Sequence, residues 1–206
     1  LKEREECNFG MAHPEGYRKA LRLFRYAERF GFPVVTLIDT TGAYPGLGDE
    51  ERGISQAIAE NLLVMAGLRT PIICIVIGEG GSGGALGIGV GDRVLMLENA
   101  VYTVAAPEAA ASIIWRDNAF APDAAQAMKI TAPELLKLGV IDSIIPEPLG
   151  GAHRDFQAVA DNVKEAILSE LKPLMCMSPE EMLEHRYQRF RVIGLQGITE
   201  AVGAKK

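Results

Sequence analysis

The spacing of apolar positions changes several times along the chain, and each change marks an element. After Pro14-Glu15-Gly16, residues Tyr17, Ala20, Leu21, Phe24 and Ala27 recur at intervals of three and four, with Arg and Lys between them. That period predicts a helix to Phe30, ended by Gly31 and Pro33. Pro33-Val-Val-Thr-Leu-Ile-Asp39 is a short β-branched run and reads as a buried strand. Segment 40–48 carries three glycines and a proline, so a loop is expected at that strand's C-terminal end. A second helix, from Asp49 or Glu50 to Gly67, has Ile54, Ala57, Ile58, Leu62 and Met65 as its stripe. Pro71-Ile-Ile-Cys-Ile-Val-Ile77 is the clearest strand; a glycine-rich loop over 78–84 and a glycine-rich helix over 85–91 are expected after it. Short strands follow at 93–97 and 101–104, then helices at 107–115 and 123–129 and a capped helix start at Thr131-Ala-Pro-Glu134. The remainder reads as a strand over 140–145, a loop over 146–153, helices over 156–171 and 179–191, and a frayed tail over 194–206. Alternating strands and helices with apolar strands predict an α/β chain with parallel pairing.

Composition narrows the function classes. The 206 residues are 48% hydrophobic and 23% charged, enough for a sizeable core and too apolar for disorder. A net charge of −6, from 21 Lys and Arg against 27 Asp and Glu, argues against nucleic-acid binding through bulk positive charge. No apolar run approaches the ~18–20 residues of a membrane span, so neither nucleic acid nor membrane is an expected partner. Cys7, Cys74 and Cys176 are odd in number and far apart, which suggests no disulfide framework and no metal site, and a reducing compartment. The opening Leu-Lys-Glu-Arg-Glu-Glu has neither an initiator Met nor a signal peptide and reads as a cut within a longer chain.

Glycine, 22 residues in all, is concentrated over 78–91, and three chemistries fit it. Gly78, Gly80 and Gly83 satisfy G-x-G-x-x-G, with Glu98 placed 20 residues after the first, as in a dinucleotide fingerprint. Gly80-Gly-Ser82-Gly-Gly84 satisfies G-x-S-x-G, with Asp142 and His153 following in hydrolase order. In the third, successive glycine N–H groups at a helix start form an oxyanion hole and no side-chain nucleophile is needed. Close helix packing then accounts for the further glycines at 87, 89 and 91.

Five blocks carry a resemblance: Asn8-Phe-Gly-Met11, Pro14-Glu-Gly-Tyr-Arg-Lys-Ala-Leu-Arg22, Asp39-Thr-Thr-Gly-Ala-Tyr-Pro-Gly46, Gly78-Glu-Gly-Gly-Ser-Gly-Gly-Ala-Leu86 and Ile141-Asp-Ser-Ile-Ile-Pro-Glu-Pro-Leu-Gly-Gly-Ala-His153. From about residue 8 to about residue 191 the chain resembles the α subunits of acetyl-CoA carboxylase carboxyltransferase. Leu97-Glu-Asn-Ala-Val-Tyr102 and Ile130-Thr-Ala-Pro-Glu-Leu135 lean toward the cyanobacterial and plastid branch. The resemblance implies a crotonase (ClpP-like) α/β fold of repeated β-β-α units, occupying residues 1–172, with a helical extension and tail over 173–206. Part of the family's subunit would precede Asn8.

The same resemblance implies carboxyl transfer from carboxybiotin, carried on a biotin carboxyl carrier protein, to acetyl-CoA, giving malonyl-CoA for fatty acid synthesis. A carboxyltransferase β subunit, in an α2β2 assembly, and biotin carboxylase are the implied partners; no metal is implied in this chain. Gly83 and Gly84 would form the oxyanion pair for the biotin ureido oxygen, and Gly80 and Gly81 would shape the loop. Gly42, Ala43 and Tyr44, at a strand's C-terminal end, would make the second wall of the pocket. Preorganised N–H donors suit charge developing on a ureido oxygen, and the biotin nitrogen can take the acetyl proton, so no dedicated base is required. The expected compartment is the cytoplasm, or else the plastid stroma.

Some residues receive plainer readings. His153 and Arg154 read as structural loop residues, Glu79 as loop-orienting or solvated, Trp115 as core or interface filling, and the basic stretch from His185 to Arg191 as a solvated face. Thr41 stands where the family usually has Pro, and Ala106 and Ala110 where it has Ser and Cys.

Overall fold

The computed structural model describes residues 2–195; most of the tail expected over 194–206 therefore lies outside the described residues. The elements are α1 (Lys2–Glu6), α2 (Pro14–Phe30), β1 (Val34–Thr40), α3 (Leu47–Glu51), α4 (Ile54–Gly67), β2 (Ile72–Gly81), α5 (Ser82–Leu86), β3 (Arg93–Leu97), β4 (Val101–Thr103), α6 (Pro107–Trp115), α7 (Ala121–Met128), α8 (Ala132–Lys137), β5 (Ser143–Ile145), α9 (Phe156–Leu174) and α10 (Pro179–Val192). The strands form one sheet in the order β1-β2-β3-β5, and β4 pairs with the far half of β2. Every named pairing is parallel, as expected of strands separated by helices.

Burial explains the order. β2 is the axis of the sheet: Ile72, Ile73, Cys74, Ile75 and Val76 are all fully buried, as befits a strand covered on both faces. β1 is different from the buried strand expected. Val34, Thr36, Ile38 and Thr40 point inward, while Val35 and Leu37 stand 40% and 54% exposed, because this edge strand is covered on one face only. The long helix expected from residue 49 breaks at Gly53, whose φ of +76° interrupts the helical path and separates α3 from α4. Along α4 the interior positions are Ile54, Ala57, Asn61 and Met65; Asn61 is fixed there by donating to the Gly87 carbonyl at 3.0 Å.

Three more boundaries depart from the sequence reading. The helix expected over 85–91 ends at Leu86, and Gly87 and Gly89 close tight turns onto Gly83 and Leu86. A helix continued through alternating glycines would give up about 1 kcal/mol at each relative to Ala. Thr131 makes no side-chain cap, and the strand expected over 140–145 forms only at its last three residues.

The basic face expected to be solvated is partly inside the molecule. Arg186 is 1% exposed and Arg189 9%. Arg186 donates to the carbonyls of Met65, Leu68 and Thr70 and to both carboxylate oxygens of Asp92, which is itself fully buried. Arg189 holds Asp142 at 2.9 Å and the Val140 carbonyl at 2.7 Å. α10 opens on a capping box between Ser178 and Glu181. These two arginines bind it to the sheet. Among the described residues, no helix is long and apolar enough to cross a membrane.

Candidate active site

The glycine segment expected as a loop is strand as far as Gly81. Glu79, Gly80 and Gly81 pair with Val101, Tyr102 and Thr103 of β4, and Thr40 of β1 lies beside Gly80. Side chains would not fit there. A Cβ on Gly80 would meet the Tyr102 ring at 2.7 Å, and one on Gly81 would lie 2.0 Å from the Thr41 carbonyl oxygen. The glycines thus let the backbone of β2 come against its neighbours.

Ser82 turns the chain. It stands at a φ of +54°, unusual for a residue with a side chain, and begins α5. Gly84 is buried with its α-carbon against the 41–43 loop, where a Cβ would come within 2.3 Å of the Gly42 carbonyl carbon and 2.5 Å of the Ala43 nitrogen. Gly83 faces the other way: a Cβ there would find only Ile58 Cδ1, at 3.7 Å. First-turn N–H groups have no intrahelical acceptor, and among the described residues none outside the helix accepts from Gly83 or Gly84.

The facing loop is held at its base. The Thr40 hydroxyl donates to the Gly42 carbonyl at 2.8 Å and accepts from the Gly42 N–H at 3.2 Å. Asp39 Oδ1 accepts from the Glu79 N–H at 2.9 Å, which ties the end of β1 to the glycine strand. Glu79 itself is exposed. Thr41 meets Gly81 through its backbone carbonyl, so Thr in place of Pro leaves that contact intact.

Beside α5 opens a cavity of about 610 Å³ lined mainly by apolar groups, with Ser82, Gly83, Leu86, Tyr102, Val104 and Phe190 among its walls. Of the glycines singled out as the oxyanion pair, Gly83 lies on this cavity, beside Ser82. Gly80, Gly81, Gly84 and Gly42 build the backbone behind it. The Ala43 and Tyr44 side chains point elsewhere: Ala43 packs with Tyr17, Ile54 and Ala57, and the Tyr44 ring lies against His13. Tyr102 and Phe190 were missed by sequence reasoning. Tyr102 had a signal, since it lies in the short strand expected over 101–104, soon after the glycine run, and that strand pairs with it; Phe190 had none, because its helix read as solvated. Burial pushes the Tyr102 phenol above its usual range, which keeps it a neutral hydroxyl.

Neither of the other two glycine chemistries is assembled. Gly78 and Gly80 lie in a strand and not in a turn, and Glu98 accepts from the Glu147 N–H, so the dinucleotide cradle is missing. Asp142 is engaged by Arg189 and the Val94 N–H, while His153 lines a separate cleft with Glu147 and Asn99. They do not form a relay to Ser82. His153 and Arg154 pack over Gly151 and Gly150 of their own turn, in keeping with a structural loop. Trp115 lies 5.8 Å from the Phe120 ring and is 42% exposed, so it does not fill the core.

The family model described as acetyl co-enzyme A carboxylase carboxyltransferase-like matches residues 1–194. Among known proteins, the chain is 58% identical over 193 residues to a protein of Halorhodospira halophila and 61% identical over 193 residues to one of Edwardsiella ictaluri. Both are named acetyl-coenzyme A carboxylase carboxyl transferase subunit alpha. The matches cover 94% of this chain but 61% and 60% of those proteins, so the chain spans about three fifths of the length of these relatives. Among solved structures, a transcarboxylase 12S core superposes with a TM-score of 0.69 at 23% identity, over 81% of this chain and 32% of that one. A Pseudomonas malonate decarboxylase hetero-tetramer in complex with coenzyme A also superposes at 0.69, with 19% identity, over 90% of this chain and 75% of that one. At such identities the likeness concerns the fold, and it is the crotonase-type α/β fold expected from the sequence.

Proposed function

Because the chain belongs to the acetyl co-enzyme A carboxylase carboxyltransferase-like family, we propose that it supplies the carboxybiotin side of a carboxyltransferase. Paired with a β subunit, it would move a carboxyl group from biotin on a carrier protein to acetyl-CoA, in concert with a biotin carboxylase. Biotin, when bound, supplies the carboxyl group and a ureido oxygen on which negative charge develops as that group leaves.

One observation carries this reading: two adjacent backbone N–H groups, that of Gly83 on the wall of an apolar cavity and that of Gly84 next to it, have no acceptor among the described residues. The site fits a flat, uncharged ring system. Gly83 leaves space for it, and Gly84 lets the Gly42–Ala43 backbone close behind. N–H donors fixed in the first turn of α5, directly behind the paired end of β2, need no reorganisation when charge appears before them, which is how such sites lower a barrier. Leu86, Val104 and Phe190 give the same space an apolar lining, against which a docked ring would displace water and so strengthen those hydrogen bonds. Ser82 is given no covalent role. We keep residues 1–172 as the carboxyltransferase unit and 173–206 as its extension, and set the reaction in a bacterial cytoplasm or plastid stroma.

The test is carboxyl transfer by the assembled enzyme. Gly83→Val places a branched side chain on the cavity wall and is expected to abolish transfer with the fold intact. Ser82→Ala is expected to retain it. Full activity in Gly83→Val would overturn the oxyanion assignment, and complete loss in Ser82→Ala would revive a serine nucleophile.

A further inference from the structure

The segment 8–13 and helix α3 meet on the far side of the 41–46 loop. Asn8, Phe9 and Gly10 stand at φ of 53°, 54° and 77°, and their turn presses on the end of β1. A Cβ on Gly10 would lie 3.0 Å from the Asp39 carbonyl oxygen. Just beyond, His13 occupies the N-cap position of α2 but makes no capping bond. Its ring serves another partner: Nδ1 lies 2.5 Å from Asp49 Oδ1, and Nε2 lies 3.4 Å from Asn8 Nδ2. An ionised carboxylate only accepts, so Nδ1 carries the hydrogen in this pair.

Asp49 is 4% exposed, and a carboxylate that deep must be paired. Its second partner is Arg52, at 3.1 Å, which is held in turn by Glu15 at 2.8 Å. Asn8 donates to the Met11 carbonyl at 2.8 Å, which fixes the other end of the chain of contacts.

This network grips the loop. The His13 and Tyr44 ring centroids are 4.9 Å apart, and the Tyr44 N–H donates to the Ala12 carbonyl at 3.2 Å. A Cβ on Gly46 would lie 2.7 Å from Tyr44 Cε1 and 2.8 Å from Asp49 Oδ2. The loop is thus held at Gly42 by Thr40 and at Tyr44 and Gly46 by His13 and Asp49. Between those anchors lies the Gly42–Ala43 backbone that packs on Gly84.

We propose that His13 and Asp49 are positioning residues: they fix the 42–46 loop against Gly84 and so set the affinity of the site for its biotin-borne substrate without touching that substrate. The inference rests on the proposed function for the identity of the substrate; the ordering of the loop does not. A loop correctly placed only one time in ten raises an apparent binding constant tenfold. A contribution shared equally by ground and transition states appears in KM and leaves kcat alone.

The experiment compares His13→Phe, which keeps a ring but loses the hydrogen bond, with His13→Asn, whose amide N–H stands in for Nδ1–H. Both are measured in the assembled carboxyltransferase, with free biotin as the variable substrate and malonyl-CoA as carboxyl donor. Hydrogen exchange of the Gly42, Ala43, Tyr44 and Gly46 amides is measured alongside, with Gly83→Val as the control on the functional reading. In His13→Phe the expected outcome is a KM for biotin raised about tenfold, with kcat and the KM for malonyl-CoA unchanged and faster exchange in the loop. His13→Asn should restore both readouts. A fall in kcat at constant KM, failure of Asn to rescue, or unchanged exchange would each overturn the proposal. If His13→Phe does not fold, Asp49→Leu, which keeps the approximate size and removes the acceptor for His13, carries the same expectation. If Gly83→Val proves active, the functional reading falls, and the exchange data still decide whether His13 holds the loop.

Discussion

Arg186→Met is expected to cost this protein a large part of its stability, although the side chain lies far from the cavity's glycine edge in sequence. Met replaces most of the aliphatic volume, so the loss is chiefly electrostatic. Five hydrogen bonds disappear: those to the carbonyls of Met65 (2.6 Å), Leu68 (2.8 Å) and Thr70 (3.1 Å), and those to Asp92 Oδ1 (2.9 Å) and Oδ2 (2.8 Å). Asp92, fully buried, would keep only the Ile72 N–H at 2.8 Å. Removing one partner of a buried ion pair costs about 3–5 kcal/mol, mostly through the charge left behind. The Met65 and Leu68 carbonyls lie at the end of α4, where helical N–H groups run out; besides Arg186, the Met65 carbonyl accepts among the described residues only a long 3.4 Å bond from the Leu68 N–H. For a domain of this size each kcal/mol moves Tm by roughly 2–4 °C, so a drop of roughly 6–20 °C is expected. Equilibrium urea unfolding measures the free energy. Adding Asp92→Asn to Arg186→Met removes the stranded charge, and the double variant should be more stable than the single one. A single-variant loss under about 1 kcal/mol, typical of an exposed ion pair, would refute the account. So would a double variant as unstable as the sum of its parts.

Three further outcomes follow from the packing and titration of single residues. Gly84→Ala should destabilise the fold by about 2 kcal/mol or more, since its Cβ would collide with backbone, whereas Gly83→Ala should unfold within about 1 kcal/mol of the parent; urea midpoints compare them. Burial pushes the Cys74 thiol up to about 12, so at pH 8 a thiol reagent should modify the exposed Cys7 and Cys176 and reach Cys74 only after denaturation; labelling of Cys74 in the native protein would contradict this. Burial alone would raise the Glu147 carboxyl, but hydrogen bonds from Asn99 and Ala152 outweigh it and hold the group below its ordinary value. A carboxyl lowered by folding stabilises above its unfolded pKa and loses that contribution as pH falls through the folded one. The stability gap between the parent and Glu147→Gln should therefore be present at neutral pH and close in acid, as urea unfolding at the two pH values would measure.

The parts of the fold that could be read from the sequence are those decided locally. The α2 stripe from Tyr17 to Ala27, with Gly31 behind it, and the unbroken apolar run of β2 specify their elements almost residue by residue. The departures arise where a distant partner decides. Nothing local makes Gly78-Glu79-Gly80-Gly81 a strand; β4 does, by pairing with 79–81 from 22 residues away. Likewise Arg186 and Arg189 sit among charged neighbours on α10, and a charge run ordinarily faces water. Their burial depends on Asp92 and Asp142, which reach them only after the sheet has formed.

The site illustrates the same division more sharply, because its glycines are alike as letters and unlike as positions. Gly80 yields to the Tyr102 ring, Gly81 to the Thr41 carbonyl, and Gly84 to the Gly42–Ala43 backbone. Each of these three is a packing requirement, and a larger residue there would be lost to instability before it reported on chemistry. Gly83 alone of the four has room for a side chain. The run Gly80-Gly-Ser-Gly-Gly84 therefore signals a backbone-built site in the sequence, whereas only the tertiary contacts say which glycine faces the cavity. It follows that Gly84→Val, an obvious companion to Gly83→Val from the sequence, cannot separate a lost oxyanion donor from a lost fold. The burden of testing an N–H-based mechanism falls on position 83.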